Sequence, residues 1–314
     1  MEVHVESKYI NKRVDSVVTD ILSNIEDISL TRNIVQKYID KGCKVNSKVC
    51  KRSYKFKEGD TLLIELEYWK KVNKELDLSK EILPEKGKLD IRYEDNELLV
   101  LYKPKGLVVH PGVGNLQGTL ANYIRYYLED KDEYDGLVDR CGIVHRLDKG
   151  VSGLMVVAKN KGVQEYLKSQ FKEKKVIKIY RAELEQSNKL EKDILINKYL
   201  KEMDIKFEPW KKWKKVEGYI GRSSKDRYKM EFKQYEFIGS KYALSYILFF
   251  DSHALIKIET GRMHQIRATL NFLGYYIKGD CLYGKSKGND ESIQLESVLL
   301  SFVKQSGEQL IFTA

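Results

Sequence analysis

Residues 142–160 read GIVHRLDKGVSGLMVVAKN, and the stretch divides in two. The second half, LMVVAKN, is a short continuous apolar run, the pattern of a buried strand. The first half holds one carboxylate, Asp148, among His145, Arg146 and Lys149, with Gly150 and Gly153 behind it. Two readings are open. Asp148 can be a turn residue that caps nearby backbone N–H groups, with the basic neighbours as a solvated rim. It can equally be an acid kept ionised in a positive cleft, as nucleophile or base.

The rest of the chain bears on that choice. The 314 residues are 42% hydrophobic, enough for a sizeable core, and 32% charged. Lys plus Arg outnumber Asp plus Glu by 56 to 46, a net +10. Such a surplus points to a polyanionic partner. No uncharged apolar run of membrane-spanning length occurs, and the start, MEVHVESKYI, does not read as a signal peptide. RNA in the cytoplasm is therefore expected, and no membrane partner. The four cysteines form no CxxC pair, and the five histidines show no metal-ligand spacing, so reduced thiols and no metal are expected.

Outward from the central stretch, residues 89–112 alternate like strands and are broken by KPKG and HPG. GTLANYIRYYLED (118–130) is an amphipathic helix with Thr119 as candidate cap. KGVQEYLKSQFKEKKV (161–176) is a helix, IKIYRAELE a strand, and YALSYILFF with HALIKIE a strand pair. GRMHQIRATLNFLG (261–274) is a turn entering a helix, and the tail from Gly284 is weakly patterned. Toward the N-terminus, RVDSVVTDILSNI and SLTRNIVQKYIDKG carry helical apolar spacing, with Ser29 or Thr31 as caps and Gly42 as the stop. A basic hairpin region follows. Arg32, Lys37 and Lys44 are its candidate RNA contacts, against the alternative of a solvated charged face. The division expected is 12–70 for a small domain, 71–88 for a charged linker and 89–314 for an α+β domain.

Other chemistry fits poorly. HPGVGNLQG (110–118) lacks GK[ST] and misses the dinucleotide spacing by one residue, so no nucleotide cofactor is expected. His145 and Ser152 lie close to Asp148 in sequence, but there is no nucleophile elbow. What survives is Asp148 with Tyr180, in KIYRAE, and Arg267, in GRMHQIR. An ionised acid in a partly dry site needs a cation, and a tyrosine ring offers a base a stacking face.

GIVHRLDKGVSGLMVVAKN closely resembles the signature of the RluA/RluD family of pseudouridine synthases. The segments YEDNELLVLYKPKGLVVHPGVGNLQGTLANYI, KIYRAE, GYIGRSSKDRYKM, KYALSYILF, ETGRMHQIRATL and GDCLYG resemble the family's elements in its order. The N-terminal domain resembles an S4 RNA-binding domain. The resemblance implies a mixed, largely antiparallel sheet with a central cleft, and isomerisation of uridine to pseudouridine without cofactor. It makes Asp148 the catalytic aspartate, Tyr180 the active-site tyrosine, Arg267 the cation paired with the aspartate, and Arg146 an RNA contact. The substrate it implies is large-subunit ribosomal RNA, free or in precursor particles, for a monomeric enzyme. A transfer-RNA enzyme, or a non-catalytic RNA-binding or ribosome-assembly protein on this scaffold, are the alternatives. The chain departs from the family at Val151, Met263, Thr269 and Glu296, where Thr, Thr, His and His are usual. The patch EPWKKWKK (208–215), within a segment 187–217 that looks longer than usual, is either an RNA-contacting insertion or a small satellite cluster.

Overall fold

The computed structural model describes all residues except 27, 81, 113, 133, 135–137, 186–198, 201, 227, 251 and 285–292; for 33, 75–80 and 207 it describes the backbone alone. The chain forms two compact units, one of residues 1–81 with 111–116, the other of 82–110 with 117–314.

In the first unit, helices α1 (Val14–Ser23) and α2 (Arg32–Gly42) precede strands β2 (Cys43–Val45), β3 (Lys48–Val49) and β4 (Thr61–Ile64). With β1 (Glu2–His4) they make an antiparallel sheet in the order β1-β4-β2-β3. The apolar spacing of α1 turns Val14, Val17, Val18 and Leu22 into the core, where Val35, Ile39 and Phe56 meet them. Residues 71–80, expected as linker, are instead the second part of helix α3 (Leu66–Lys80). Its first turns carry fully buried Trp69, whose indole N–H donates to the Gly42 carbonyl at 2.9 Å. A charged sequence thus holds a helix because two apolar residues, Trp69 and Val72, reach this core.

The second unit is built on a ten-stranded sheet. Its strands are β5 (Asp90–Glu94), β6 (Leu98–Lys103), β7 (Ser152–Ala158), β8 (Ile177–Glu183), β9 (Lys214–Arg222), β10 (Met230–Lys233), β11 (Lys241–Phe249), β12 (His253–Ile258), β13 (Leu295–Val303) and β14 (Gln309–Thr313). The order is β10-β9-β11-β12-β8-β13-β7-β6-β5, with β14 on β13. Its pairings are antiparallel apart from the parallel β13–β7 contact, so the sheet is mixed, as expected. The weakly patterned tail is a correction: it supplies β13, a central strand, and β14. Strand β13 is buried on both faces and so lacks polar alternation.

Helices α4 (Leu120–Leu128), α5 (Lys161–Lys172) and α6 (Gln265–Phe272) cover the sheet. Thr119 caps α4 as read from sequence, in a reciprocal capping box with Asn122. The patch at 208–215 resolves to a satellite cluster. Trp210 and Trp213 are buried with Ile179, Leu255, Val298 and Leu299, because the apolar face of that part of the sheet needs a cover. Segment 186–198, the first part of the expected insertion, lies outside the described residues. No described helix is long and apolar enough to cross a membrane.

Candidate active site

Asp148 sits in the loop entering β7, half-buried, and its carbonyl accepts the Val151 N–H at 3.0 Å. Among the described residues no hydrogen bond or ion pair closes on its carboxylate. The loop is held from below by Lys103 at the end of β6. That side chain is fully buried, and its ammonium donates to the carbonyls of Pro104 and Leu107 at 2.8 Å and of Lys149 at 3.2 Å. The Gly106 N–H reaches the same Lys149 carbonyl at 2.9 Å. The KPKG turn and the residue after Asp148 are thereby one assembly. Burial pushes the Lys103 pKa down to about 8, and the Asp148 charge works against that shift. Sequence reading missed Lys103; the only signal was a lysine ending an otherwise apolar strand.

Tyr180 stands on β8, buried at 6% exposure, in the same core face as Met155 and Ile256. Burial first, and the negative charge of Asp148 second, raise its hydroxyl pKa, while a hydrogen bond from Ser297 opposes them. The hydroxyl therefore stays protonated, within electrostatic reach of the carboxylate. Asp148 and Tyr180 are thus brought together from segments 32 positions apart in sequence.

Arg267 lies on α6, 6% exposed. The pairing with Asp148 that the resemblance implied goes elsewhere: Nε and Nη2 fork onto the two oxygens of Asp280 at 2.8 and 2.7 Å. Asp280 also accepts the N–H groups of Leu282 and Tyr283, each at 3.0 Å. The guanidinium lies 5.0 Å from the centre of the Tyr283 ring. Tyr283 in turn takes the Met230 N–H at 2.7 Å and lies within electrostatic reach of Asp148. The GRMHQIR and GDCLYG segments are therefore one ion-paired unit on the side of Asp148 and Tyr180. The Asp280 carboxylate explains why a buried arginine is tolerated there.

His145 is engaged by the strand and helix beside it. Its Nε2 accepts the Val156 N–H at 3.0 Å, its ring stacks on Phe171 at 4.8 Å, and burial pushes its pKa down to about 3. Ser152 pairs across the sheet with Glu296 and belongs to the opposite face from Gly153 and Met155. The Ser152 and His145 side chains therefore do not form a triad with Asp148. Glu296 occupies that far face, accepting from Tyr102 at 2.6 Å and Arg181 at 2.7 Å beside a polar cavity of about 300 Å³.

Of the RNA-contact candidates, Arg146 is exposed two residues before Asp148. In the first unit Arg32 is partly committed, its Nη2 lying 3.1 Å from buried Asp15. The Lys37 ammonium lies 4.9 Å from the Tyr38 ring centre, and Lys44 is exposed on β2. Among the described residues no group of three or more His, Cys, Asp or Glu could hold a metal.

Comparison with known proteins identifies the family. The model of the RNA pseudouridylate synthase family matches residues 97–272, which includes Lys103, Asp148, Tyr180 and Arg267. An uncharacterised RNA pseudouridine synthase of Bacillus subtilis, YlyB, is 32% identical over 90% of this chain and 85% of its own. The ribosomal large subunit pseudouridine synthase D of Zymomonas mobilis is 29% identical over 100% of this chain and 93% of its own. Among solved structures, human RNA pseudouridylate synthase domain containing 1 matches with a TM-score of 0.52 and 23% identity, over 73% of this chain and 85% of that one, a likeness of fold. The match of more than half of the chain to that family model, with these relatives, leads to one conclusion: the chain belongs to the RNA pseudouridylate synthase family, of the RluA/RluD type, enzymes that isomerise uridine in RNA.

Proposed function

We propose that this enzyme converts uridines of large-subunit ribosomal RNA to pseudouridine, with Asp148 as the catalytic aspartate. The observation that carries the assignment is the half-buried Asp148, in a loop whose next residue is held by the buried Lys103 ammonium. Isomerisation breaks the N1–C1′ bond and joins C1′ to C5, with C5 losing a proton and N1 gaining one, so there is no net redox change. Asp148 either attacks C1′ and is displaced by the rotated base, or removes the C2′ proton to give a glycal and returns it. Tyr180 supplies a ring for the extruded uracil and a hydroxyl aimed at the reaction centre. Arg267 acts through the Asp280–Tyr283 unit, holding that turn in place.

The ribosomal substrate is carried over from the named activity of the Zymomonas mobilis relative. The first unit, two helices on a small sheet with Arg32, Lys37 and Lys44 on its surface, acts as an S4-like RNA-binding domain, in a monomeric cytoplasmic enzyme. Pseudouridine mapping on ribosomal RNA from cells lacking the gene, with purified protein added back, tests both parts. Wild type is expected to restore specific sites and Asp148→Asn to restore none, with RNA affinity within about twofold. Turnover by Asp148→Asn would remove Asp148 from the chemistry. Modification of transfer RNA alone would replace the substrate.

A further inference from the structure

Glu296 lies near the start of β13, on the face of the sheet opposite Tyr180, yet its carboxylate joins the two strands that frame the site. Oε1 accepts the Tyr102 hydroxyl of β6 at 2.6 Å, and Oε2 accepts Nη2 of Arg181 on β8 at 2.7 Å. The ion pair is largely shielded, with the Arg181 side chain 27% and the Glu296 side chain 18% exposed. Each partner is the chain neighbour of a residue already placed in the site. Tyr102 precedes Lys103, whose ammonium holds the Lys149 carbonyl beside Asp148, and Arg181 follows Tyr180. Gln294, two positions before Glu296, adds a second grip on the KPKG turn: Lys105 Nζ donates to its Oε1 at 2.6 Å.

The backbone at this place has little else to fix it. Strands β6 and β8 do not pair; β7 and β13 lie between them. The parallel contact of β13 with β7 is short, Glu296 against Ser152 and Ser297 against Gly153. Just beyond, the pairing of β13 with β8 shifts between Ser297 and Leu299, an irregularity of the kind that re-aims a side chain. Ser297 is buried immediately before that shift, directly opposite Tyr180 on β8. Its backbone is also close to β7: a Cβ at Gly153 would meet the Ser297 carbonyl oxygen at 2.4 Å. A slip of β13 by one residue would turn Ser297 to the other face and take it from Tyr180. A carboxylate with one partner on each flank opposes that slip, and Ser152, small and on the intervening strand, leaves it room to reach Tyr102.

We infer that Glu296 is a positioning residue for the isomerisation: through Tyr102 and Arg181 it braces β6 against β8 and so holds the Asp148 loop and Tyr180 in register. It acts from behind the sheet, through these two neighbours, and does not touch the reacting atoms. The inference rests on the reading of Asp148 as the catalytic aspartate with Tyr180 beside it. The hydrogen bond to Arg181 is charge-assisted and the one to Tyr102 has a carboxylate acceptor, so both are of the stronger kind. A misplacement of about 1 Å between reacting groups is enough to slow a chemical step severely, so the brace is read in the rate and not in RNA affinity.

The test uses the full chain and a ribosomal RNA hairpin carrying a uridine that the wild type converts. Glu296→Met removes both acceptor oxygens at similar length. It is expected to lower the single-turnover rate at saturating RNA about tenfold, with Kd within about twofold of wild type. Tyr102→Phe, which cuts one arm, should lose about threefold in rate. The double variant should be no slower than Glu296→Met, because the Tyr102 arm has already lost its acceptor. Phe302→Leu, buried further along β13, is the control for stability. It should lower the melting temperature and leave the rate within about twofold. A wild-type rate in Glu296→Met would overturn the inference, as would full additivity in the double variant. So would an equal rate loss in Phe302→Leu, which would make the effect one of general stability. Turnover by Asp148→Asn in the same assay would strike the active-site reading instead, whatever Glu296→Met does.

Discussion

Lys103 shows how a single side chain links the chemistry to the scaffold. A fully buried ammonium is costly unless its donors are used, and here all three reach carbonyls. Two of those carbonyls belong to its own turn and the third to the residue after Asp148. Lys103→Met keeps the aliphatic volume and strands the carbonyls of Pro104 and Leu107, while the Lys149 carbonyl keeps the Gly106 N–H alone. The variant is expected to lose about 1–3 kcal/mol of stability by denaturant titration. Its isomerisation rate should fall more than its RNA affinity, because the loop bearing Asp148 loses its anchor. A rate equal to wild type at saturating RNA would make the clamp a feature of stability alone. At Arg267, by contrast, the geometry reassigns the partner: the fork on Asp280 makes this arginine a holder of Tyr283 and its turn.

At the scale of elements, α1 and α2 are joined by a buried acid. Asp15, on α1, receives Arg13 at 2.9 Å, Arg32 at 3.1 Å and Gln36 at 2.5 Å. Burial alone would raise its pKa; these bonds outweigh it and bring the carboxyl from 3.8 down to about 2. A folded-state value below the unfolded one means stability that is complete above about pH 4 and is lost as pH falls toward 2. Acid unfolding followed by circular dichroism should therefore show a transition in that window that Asp15→Asn flattens. An identical acid limb in the variant would remove Asp15 as its source. The same helices limit the RNA role of Arg32, since two of its five N–H donors face Asp15.

For the whole molecule the decisive quantity is the net charge of +10 and where it lies. Each phosphate neutralised releases counterions, so affinity for RNA falls with salt at a slope that counts contacts. Lys37→Gln with Lys44→Gln in the full chain should reduce that slope by about one to two and weaken binding to unrelated RNAs equally. An unchanged slope would show those lysines to be a solvated face.

Local information in the chain was enough for much of this. The spacing of Val14, Val17, Val18 and Leu22 is a property of one helix, and the Thr119 cap a property of four residues, so both are legible without a partner. The HRLD and GRMHQIR segments marked Asp148 and Arg267 because motif identity travels with sequence. Contacts between distant segments were not legible. Trp69 turns a charged stretch into a helix only because a core lies across from it. The tail became a central strand because burial on both faces erased its alternation. Arg267 found Asp280, 13 positions away, because the turn between them folds back on α6. Pairing energies of this kind depend on distance in space and on the loss of water around both partners. Sequence by itself determined most of the elements and the candidate acid; the tertiary structure alone decided which charges meet and which side chains are dry, because both depend on contacts between distant segments.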